Sequence, residues 1–111
     1  MNYTNAQLKM LDLAIKLGQE SGVSPVMIRI GCAVLMAESG LNHNALLVNK
    51  GGSRDRGVCQ WNSRWWPQIT DECAFNPECA IKLFWPIFVK HPTWWIAYKN
   101  GSWRKFYGKE T

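Results

Sequence analysis

Two stretches near the start of the chain alternate apolar and polar residues with the period of an α-helix. The apolar positions of the first stretch are Leu8, Leu11 and Ile15. Just before them, Thr4 and Gln7 have the spacing of a capping box, in which side chains at the helix start bind free backbone N–H groups. We therefore predict a first helix that runs to about Gln19 and ends near Gly22.

The second stretch predicts a helix with clear signals at both ends. Ser24 is a favourable N-cap, Pro25 suits the first helical position, and Gly40 follows the last apolar residues. The apolar face of this helix comprises Met27, Ile30, Val34 and Leu35. We expect this face to be part of the core.

Residues 42–63 have a different composition. Asn, Gly and Ser cluster around residues 50–53, with short apolar segments on either side at 46–48 and 58–61. Turn-forming residues between two short apolar segments are typical of β structure. The segment therefore predicts a small β-hairpin or an irregular β lobe.

Helical patterns return in the last third of the chain. Asn76 and Pro77 form a second pair of cap and first-turn proline. We predict three helical segments there, at about residues 76–90, 92–100 and 103–107. The whole chain is then one α+β domain, mainly α, spanning residues 1–111, with a helical core and one small β-hairpin lobe.

The composition is that of a globular domain with an unusual number of tryptophans. Apolar residues make up 47% and charged residues 19%, which excludes a disordered or fibrous chain. Seven tryptophans exceed what one small core needs, so several should line a surface cleft. The net charge of +5 suits an anionic polymer such as nucleic acid, a membrane surface or bacterial wall. The dense basic group, which we interpret as a solvated face, is Lys99, Arg104, Lys105 and Lys109.

Four cysteines allow three pairings if all of them are bonded. Cys73 and Cys79 bracket a short loop and are the pair that we expect. Cys32 falls in the second apolar helix and should be a small buried residue. Because no C-x-x-C spacing is present, we expect neither a metal site nor a cofactor.

The chain carries no pattern of a membrane span or secretory signal. No run approaches the roughly 18–20 apolar residues that a spanning helix needs. Residues 6–17 are moderately apolar, but Lys9, Asp12 and Lys16 interrupt them. We expect no integral membrane segment and no signal peptide, although a trimmed mature chain would look the same.

Glu38 stands at the end of the second helix and continues its apolar face. The residues three, four, seven and eight positions before it are Leu35, Val34, Gly31 and Ile30. We expect burial and the negative end of the helix dipole to raise the pKa of Glu38. A carboxyl group that stays protonated near neutral pH is suited to general acid catalysis.

Asp55 provides a second carboxylate 17 residues later, flanked by Arg54 and Arg56. One interpretation is a solvated aspartate in a turn. The other is an ionised carboxylate that stabilises or attacks an oxocarbenium ion, as in glycoside cleavage. The spacing in the sequence leaves both open.

Polar and aromatic side chains follow Asp55 closely. Gln60 and Asn62 would point to one face of a strand, where they could bind the N-acetyl and hydroxyl groups of a sugar. Trp65 and Trp66 are adjacent on a predicted turn, so both cannot easily be buried. At least one should present its ring to a sugar.

These residues resemble the lysozyme superfamily, which joins animal lysozymes with soluble lytic transglycosylases. Residues 38–45 resemble the E-S-G-x-N-x-x-A motif of the transglycosylases. Residues 55–66 are similar to the D-x-G-x-x-Q-x-N-S-R-W-W segment of chicken-type lysozymes. Residues 95–101 resemble a late helix of both groups. The resemblance covers about residues 28–107.

The resemblance implies a lysozyme-like fold and cleavage of the β-1,4 bond between N-acetylmuramic acid and N-acetylglucosamine in bacterial peptidoglycan. Glu38 would act as general acid and later as base. Trp95 would form an apolar wall beside it, and Tyr98 would contact or orient it. The sugar-binding residues implied are Gln60, Asn62, Trp65 and Trp66.

The resemblance leaves the reaction product open. The chain has four cysteines where animal lysozymes have eight, and its E-S-G motif fits phage and secretion-apparatus transglycosylases better. In a transglycosylase the sugar's own 6-hydroxyl closes a 1,6-anhydro ring, and Asp55 is then not a nucleophile. Some of these transglycosylases also carry the Asp-x-Gly element, so the presence of Asp55 fits both reactions. With no signal peptide, we expect a bacteriophage product or a component of a particle or cell-envelope assembly.

Two other function classes remain as alternatives. A glycan-binding module without activity would keep the tryptophans but would not need Glu38. A DNA-binding domain would use residues 24–40 as its recognition helix. That helix carries a single basic residue, Arg29, so we expect no nucleic-acid partner.

Overall fold

The computed structural model describes residues 2–108. Lys109, the last member of the basic group, lies outside that range. The described chain contains five α-helices, a three-stranded sheet and two short 3-10 helices. The α-helices are α1 (Asn5–Glu20), α2 (Pro25–Ser39), α3 (Asp71–Ala74), α4 (Pro77–Lys90) and α5 (Ile96–Lys99). The 3-10 helices are Pro92–Trp94 and Ser102–Phe106. The mainly α, α+β prediction is confirmed.

Helix α1 begins with the predicted capping box. The Thr4 hydroxyl oxygen accepts from the backbone N–H of Gln7, and the Gln7 side chain accepts from the backbone N–H of Thr4. The buried face of α1 comprises Met10, Leu11, Ala14, Leu17 and Gly18. Of the predicted positions, Leu11 is buried and Ile15 packs against the core, whereas Leu8 is exposed. Several sides of α1 carry apolar residues, and the position of α2 and α4 against it decides which side is buried.

Helix α2 passes through the core and ends where the sequence predicts. Ser24 caps it, and Gly40 ends it in the left-handed conformation with φ 64°. Gly31 is required for packing, because a Cβ there would lie 2.3 Å from the ring of Trp85. Glu38 is thereby carried on a rigid, closely packed helix.

The β lobe has three short antiparallel strands in the order β1-β2-β3. They are β1 (Leu46–Val48), β2 (Arg54–Arg56) and β3 (Trp61–Asn62). The sequence analysis did not predict strand β2, because its three residues are polar and form no apolar pattern. Residues 57–60 form a turn, because Gly57 and Gln60 adopt left-handed backbone conformations with φ 75° and 56°.

The segment after the lobe contains α3 and α4, joined by a disulfide. The predicted Cys73–Cys79 pair is confirmed, and it links α3 to the start of α4. Cys32 is buried, as predicted. The short helix α3, capped by Thr70, was not predicted. Helix α4 has the predicted bounds, and the Asn76 side chain caps it.

The predicted helix at residues 92–100 is divided in two. Trp95 has an extended backbone, with φ −96° and ψ 125°, between the 3-10 helix Pro92–Trp94 and α5. The ring of Trp95 is buried with Trp61, Phe84 and Phe88. Packing of this side chain accompanies the break in the helix.

Within residues 2–108, no helix is long and apolar enough to cross a membrane. In the same range, no three His, Cys, Asp or Glu side chains are grouped so that they could hold a metal ion.

Candidate active site

A cleft of about 780 Å³ lies between the helices and the β lobe. Both predicted carboxyl groups, Glu38 and Asp55, line it. The predicted binding residues that line it are Gln60, Asn62, Trp65, Trp66 and Trp95. The fold therefore brings together all but one of the residues that the sequence indicated.

Glu38 lies in the last turn of α2 with its carboxyl group half-buried. One carboxylate oxygen accepts a hydrogen bond of 2.8 Å from the backbone N–H of Ala97. This N–H belongs to the first turn of α5, where backbone donors have no partner within the helix.

Burial is the largest influence on the pKa of Glu38 and raises it above its ordinary value. The hydrogen bond from Ala97 opposes this shift, and the negative charge of Asp55 adds to it. The predicted direction is confirmed. The negative charge of Asp55 is a second influence that raises the pKa, and the sequence did not predict it.

The end of α2 is fixed to the β lobe next to Glu38. The Ser39 hydroxyl donates to the carbonyl of Val58 at 2.7 Å. Val58 belongs to the turn between β2 and β3 and is fully buried. The contact holds the helix that carries Glu38 against the lobe that carries Asp55.

Asp55 lies on β2, directly across from Asn62 on β3. One oxygen of its carboxylate accepts from the Asn62 side chain at 2.8 Å, and the other accepts from the Asn49 side chain at 3.2 Å. The carboxylate is thus held on both sides. This arrangement differs from the solvated aspartate of a free turn.

The Asn62 side chain also organises the segment that follows it. Its oxygen accepts from the backbone N–H groups of Arg64 and Trp65, at 2.9 and 3.1 Å. Both ends of this amide are therefore bound within the protein. Asn62 connects the orientation of Asp55 to residues 63–69, the tryptophan loop, which contains Trp65 and Trp66.

Gln60 does not lie on a strand, so the prediction that it shares a strand face with Asn62 is wrong. It occupies the turn in a left-handed conformation. Its side-chain nitrogen donates to the carbonyl of Gly57 at 2.9 Å, with the carbonyls of Ala45 and Asp55 at 3.4 Å. These contacts hold the strained backbone of the turn.

The two adjacent tryptophans of the lobe have different environments. Trp65 is 77% exposed, while Trp66 is half-buried with its ring 5.0 Å from Trp61. The expectation that one of the pair is exposed is confirmed. Trp95 is only 5% exposed, and its indole N–H donates to the carbonyl of Cys59 at 3.0 Å. It gives the cleft a fixed apolar wall.

Tyr98 does not line the cleft, unlike the other predicted residues. Its ring is stacked on Trp103, with centroids 5.6 Å apart, and contacts the edge of Phe88. The hydrogen bond to Glu38 comes from the backbone N–H of Ala97. Within α5, Ala97 is buried, whereas the half-buried Tyr98 packs against Trp103 in the C-terminal segment.

Five residues that line the cleft were not predicted: Asn49, Ser53, Trp61, Trp94 and Ile96. Trp94 could have been found, because Trp94 and Trp95 are adjacent and cannot easily both be buried. Asn49 and Ser53 lie in a turn, where their residue types gave no sign of a site.

The comparison with protein families agrees with this geometry. Residues 15–95 match a family described as a lysozyme-like domain. The chain belongs to the lysozyme-like domain family. The match includes Glu38, Asp55 and all the cleft tryptophans. This is a family of glycosidases related to peptidoglycan. A comparison with curated proteins finds no match.

Proposed function

We propose that this lysozyme-like domain cleaves the β-1,4 bond between N-acetylmuramic acid and N-acetylglucosamine in bacterial peptidoglycan. The observation that carries the proposal is a half-buried carboxyl group with a raised pKa, Glu38, in one cleft with a second carboxylate. Glycoside cleavage typically uses two carboxyl groups whose environments differ, so that they can take different roles.

In the first step, protonated Glu38 donates its proton to the glycosidic oxygen, and the bond from that oxygen to the sugar carbon breaks. Positive charge then develops on the sugar. The Asp55 carboxylate, held by Asn49 and Asn62, stabilises this charge or forms a bond to the sugar carbon. Glu38, now a carboxylate, next removes a proton from the attacking hydroxyl group, whose oxygen bonds to the sugar carbon and displaces the Asp55 carboxylate where that had bonded.

The binding residues suit a polymer of acetylated sugars. Exposed Trp65 offers an aromatic face for a sugar ring, and Trp95 provides a dry wall close to the acid. The net charge of +5 favours association with the anionic bacterial wall.

We favour hydrolysis over formation of a 1,6-anhydro ring. A transglycosylase has no need for a second carboxylate in a fixed orientation, whereas both oxygens of Asp55 are held by amide donors. Water is then the attacking group in the last step.

Mass spectrometry of soluble products from purified peptidoglycan tests the proposal. We expect fragments with reducing N-acetylmuramic acid ends. Fragments with 1,6-anhydro ends would support cleavage of the glycan but would contradict hydrolysis. Glycan retained by the protein without any release would indicate a binding module and overturn the enzymatic proposal.

A further inference from the structure

The cleft has an exposed aromatic ring on its helical wall as well as on the β lobe. Trp94 is 58% exposed and lines the same cleft as Glu38. It lies in the 3-10 helix after α4, whereas Trp65 and Trp66 follow β3. The two walls meet where the rings of Trp66 and Trp94 are 5.9 Å apart.

The buried neighbour of Trp94 fixes its direction. Trp95 is held in the core by its hydrogen bond to the carbonyl of Cys59. Since successive residues cannot both point into this core, the indole of Trp94 remains at the surface. An exposed aromatic ring alone is common on proteins and carries no conclusion.

A second contact distinguishes Trp94 from an ordinary exposed residue. The imidazole of His91 is stacked on its ring, with centroids 3.9 Å apart and planes 5° from parallel. The backbone N–H of Trp94 donates to the carbonyl of His91, which closes a four-residue turn. Side chains three apart in a 3-10 turn lie above one another, so the local backbone produces this stack.

The stack covers one face of the indole and restricts its rotation. The indole of Trp94 is supported on one face by His91, touches Trp66 and is otherwise open to the cleft, so it is ordered before a ligand binds. Less conformational entropy is then lost on binding. Sugars present flat patches of C–H groups to such rings.

We propose that Trp94 is a sugar-stacking platform in the cleft and that His91 is the residue that positions it. This inference rests on the proposed function and adds a binding contact to the same site. The glycan would pass between aromatic side chains of the lobe, chiefly Trp65, and the Trp94 platform on the helical wall.

The test measures binding apart from cleavage. A tetrasaccharide of alternating N-acetylglucosamine and N-acetylmuramic acid is titrated by calorimetry into the Glu38→Gln protein. Adding Trp94→Leu keeps an apolar side chain but removes the flat ring, and should raise Kd by about five- to tenfold. Val26→Ala is the control, because Val26 is 56% exposed but does not line the cleft, and it should leave Kd unchanged.

Variants of His91 test its positioning role. His91→Ala removes the supporting ring and should raise Kd by about threefold, whereas His91→Phe keeps an aromatic stack and should restore binding. In the protein with Glu38 intact, Trp94→Leu should raise KM with little change in kcat, since stacking is equal in the ground and transition states. Thermal unfolding of each variant establishes that it is folded.

The outcomes separate this inference from the proposed function. If the Glu38→Gln protein binds the tetrasaccharide and Trp94→Leu has no effect, the platform is overturned while the proposed function stands. If His91→Phe impairs binding as much as His91→Ala, the positioning role is overturned. If no tetrasaccharide binds and the wild-type protein releases no sugar, both proposals fail.

Discussion

At the scale of single residues, the chemistry depends on how Glu38 is kept protonated. Its carboxyl group is half-buried and has the Ala97 backbone N–H as a hydrogen-bond donor. Burial and the charge of Asp55 raise its pKa more than this donor lowers it. The acid form that cleavage needs therefore persists to a higher pH than for a solvated glutamate, and activity should fall as pH rises through the Glu38 pKa.

Removing the charge of Asp55 should lower the pKa of Glu38. In Asp55→Asn the carboxylate that disfavours ionisation of Glu38 is replaced by a neutral amide of similar shape. NMR titration of the Glu38 carboxyl carbon measures the shift. Asp71→Asn removes a carboxylate that does not line the cleft and should leave the value unchanged. A pKa in Asp55→Asn equal to or above that of the wild type would refute the coupling.

The same raised pKa has a consequence for stability. A carboxyl group whose pKa is higher in the folded state binds its proton more tightly there. Its contribution is fully present below the ordinary value of 4.5 and is lost as pH rises through the folded-state pKa. Ionised Glu38 therefore lowers the free energy of unfolding at neutral pH.

We accordingly expect Glu38→Gln to have a Tm at pH 7 equal to or above that of the wild type. The glutamine oxygen can still accept from Ala97, and no charge is buried. Below pH 4.5 the two proteins should converge. Calorimetry at both pH values decides this, and a Tm several degrees below the wild type at pH 7 would be inconsistent with it.

At the scale of elements, a buried cation holds the tryptophan loop against the sheet. Arg56 on β2 is 2% exposed, and its guanidinium donates to the carbonyls of Trp61 and Ile69 at 2.9 and 2.8 Å. It also donates to Asp71, at 3.0 Å. Asp55 and Arg56 are adjacent on β2. The same strand therefore carries both the cleft carboxylate and the arginine that supports the tryptophan loop.

Replacing Arg56 by methionine should loosen this loop. Buried carbonyls lose their donor, so we expect a loss of about 3 kcal/mol in the free energy of unfolding and a higher KM for glycan. Urea unfolding and steady-state kinetics measure the two effects. Asp71→Asn is the matched control, because it removes only the half-exposed partner and should cost much less. Equal effects of the two substitutions would contradict the loop-support role.

The sequence predicts those elements whose signals are local. Caps at Thr4, Ser24 and Asn76 mark three helix starts, and Gly40 marks an end, so α1, α2 and α4 were predicted with nearly correct bounds. Strand β2 reads Arg-Asp-Arg and has no apolar pattern, because its pairing with β1 and β3 defines it.

Elements and contacts that depend on distant partners could not be predicted. The break at Trp95 accompanies burial of its ring beside Trp61 and Phe84, residues from other elements. The left-handed Gln60 is held by the carbonyl of Gly57, in a turn that the sequence pattern does not predict. Residue types were thus sufficient to indicate most of the residues that line the cleft. The hydrogen-bond donor to Glu38 is a backbone N–H, that of Ala97, and its position depends on where α5 begins.

At the scale of the whole molecule, the two halves of the site come from different parts of the fold. The helices carry Glu38, and the β lobe carries Asp55. The halves are joined by the hydrogen bonds from Ser39 to Val58 and from Trp95 to Cys59. Both acceptors lie in one buried turn, which therefore ties the helical half of the site to the β lobe.

The most direct test of this account compares release of soluble muropeptides by the wild-type and Glu38→Gln proteins, at equal concentration and with purified peptidoglycan. Loss of the general acid should lower the rate by about 100-fold or more, while the variant remains folded and binds the glycan. Release by the variant within tenfold of the wild-type rate would contradict the assignment of Glu38 as the catalytic acid.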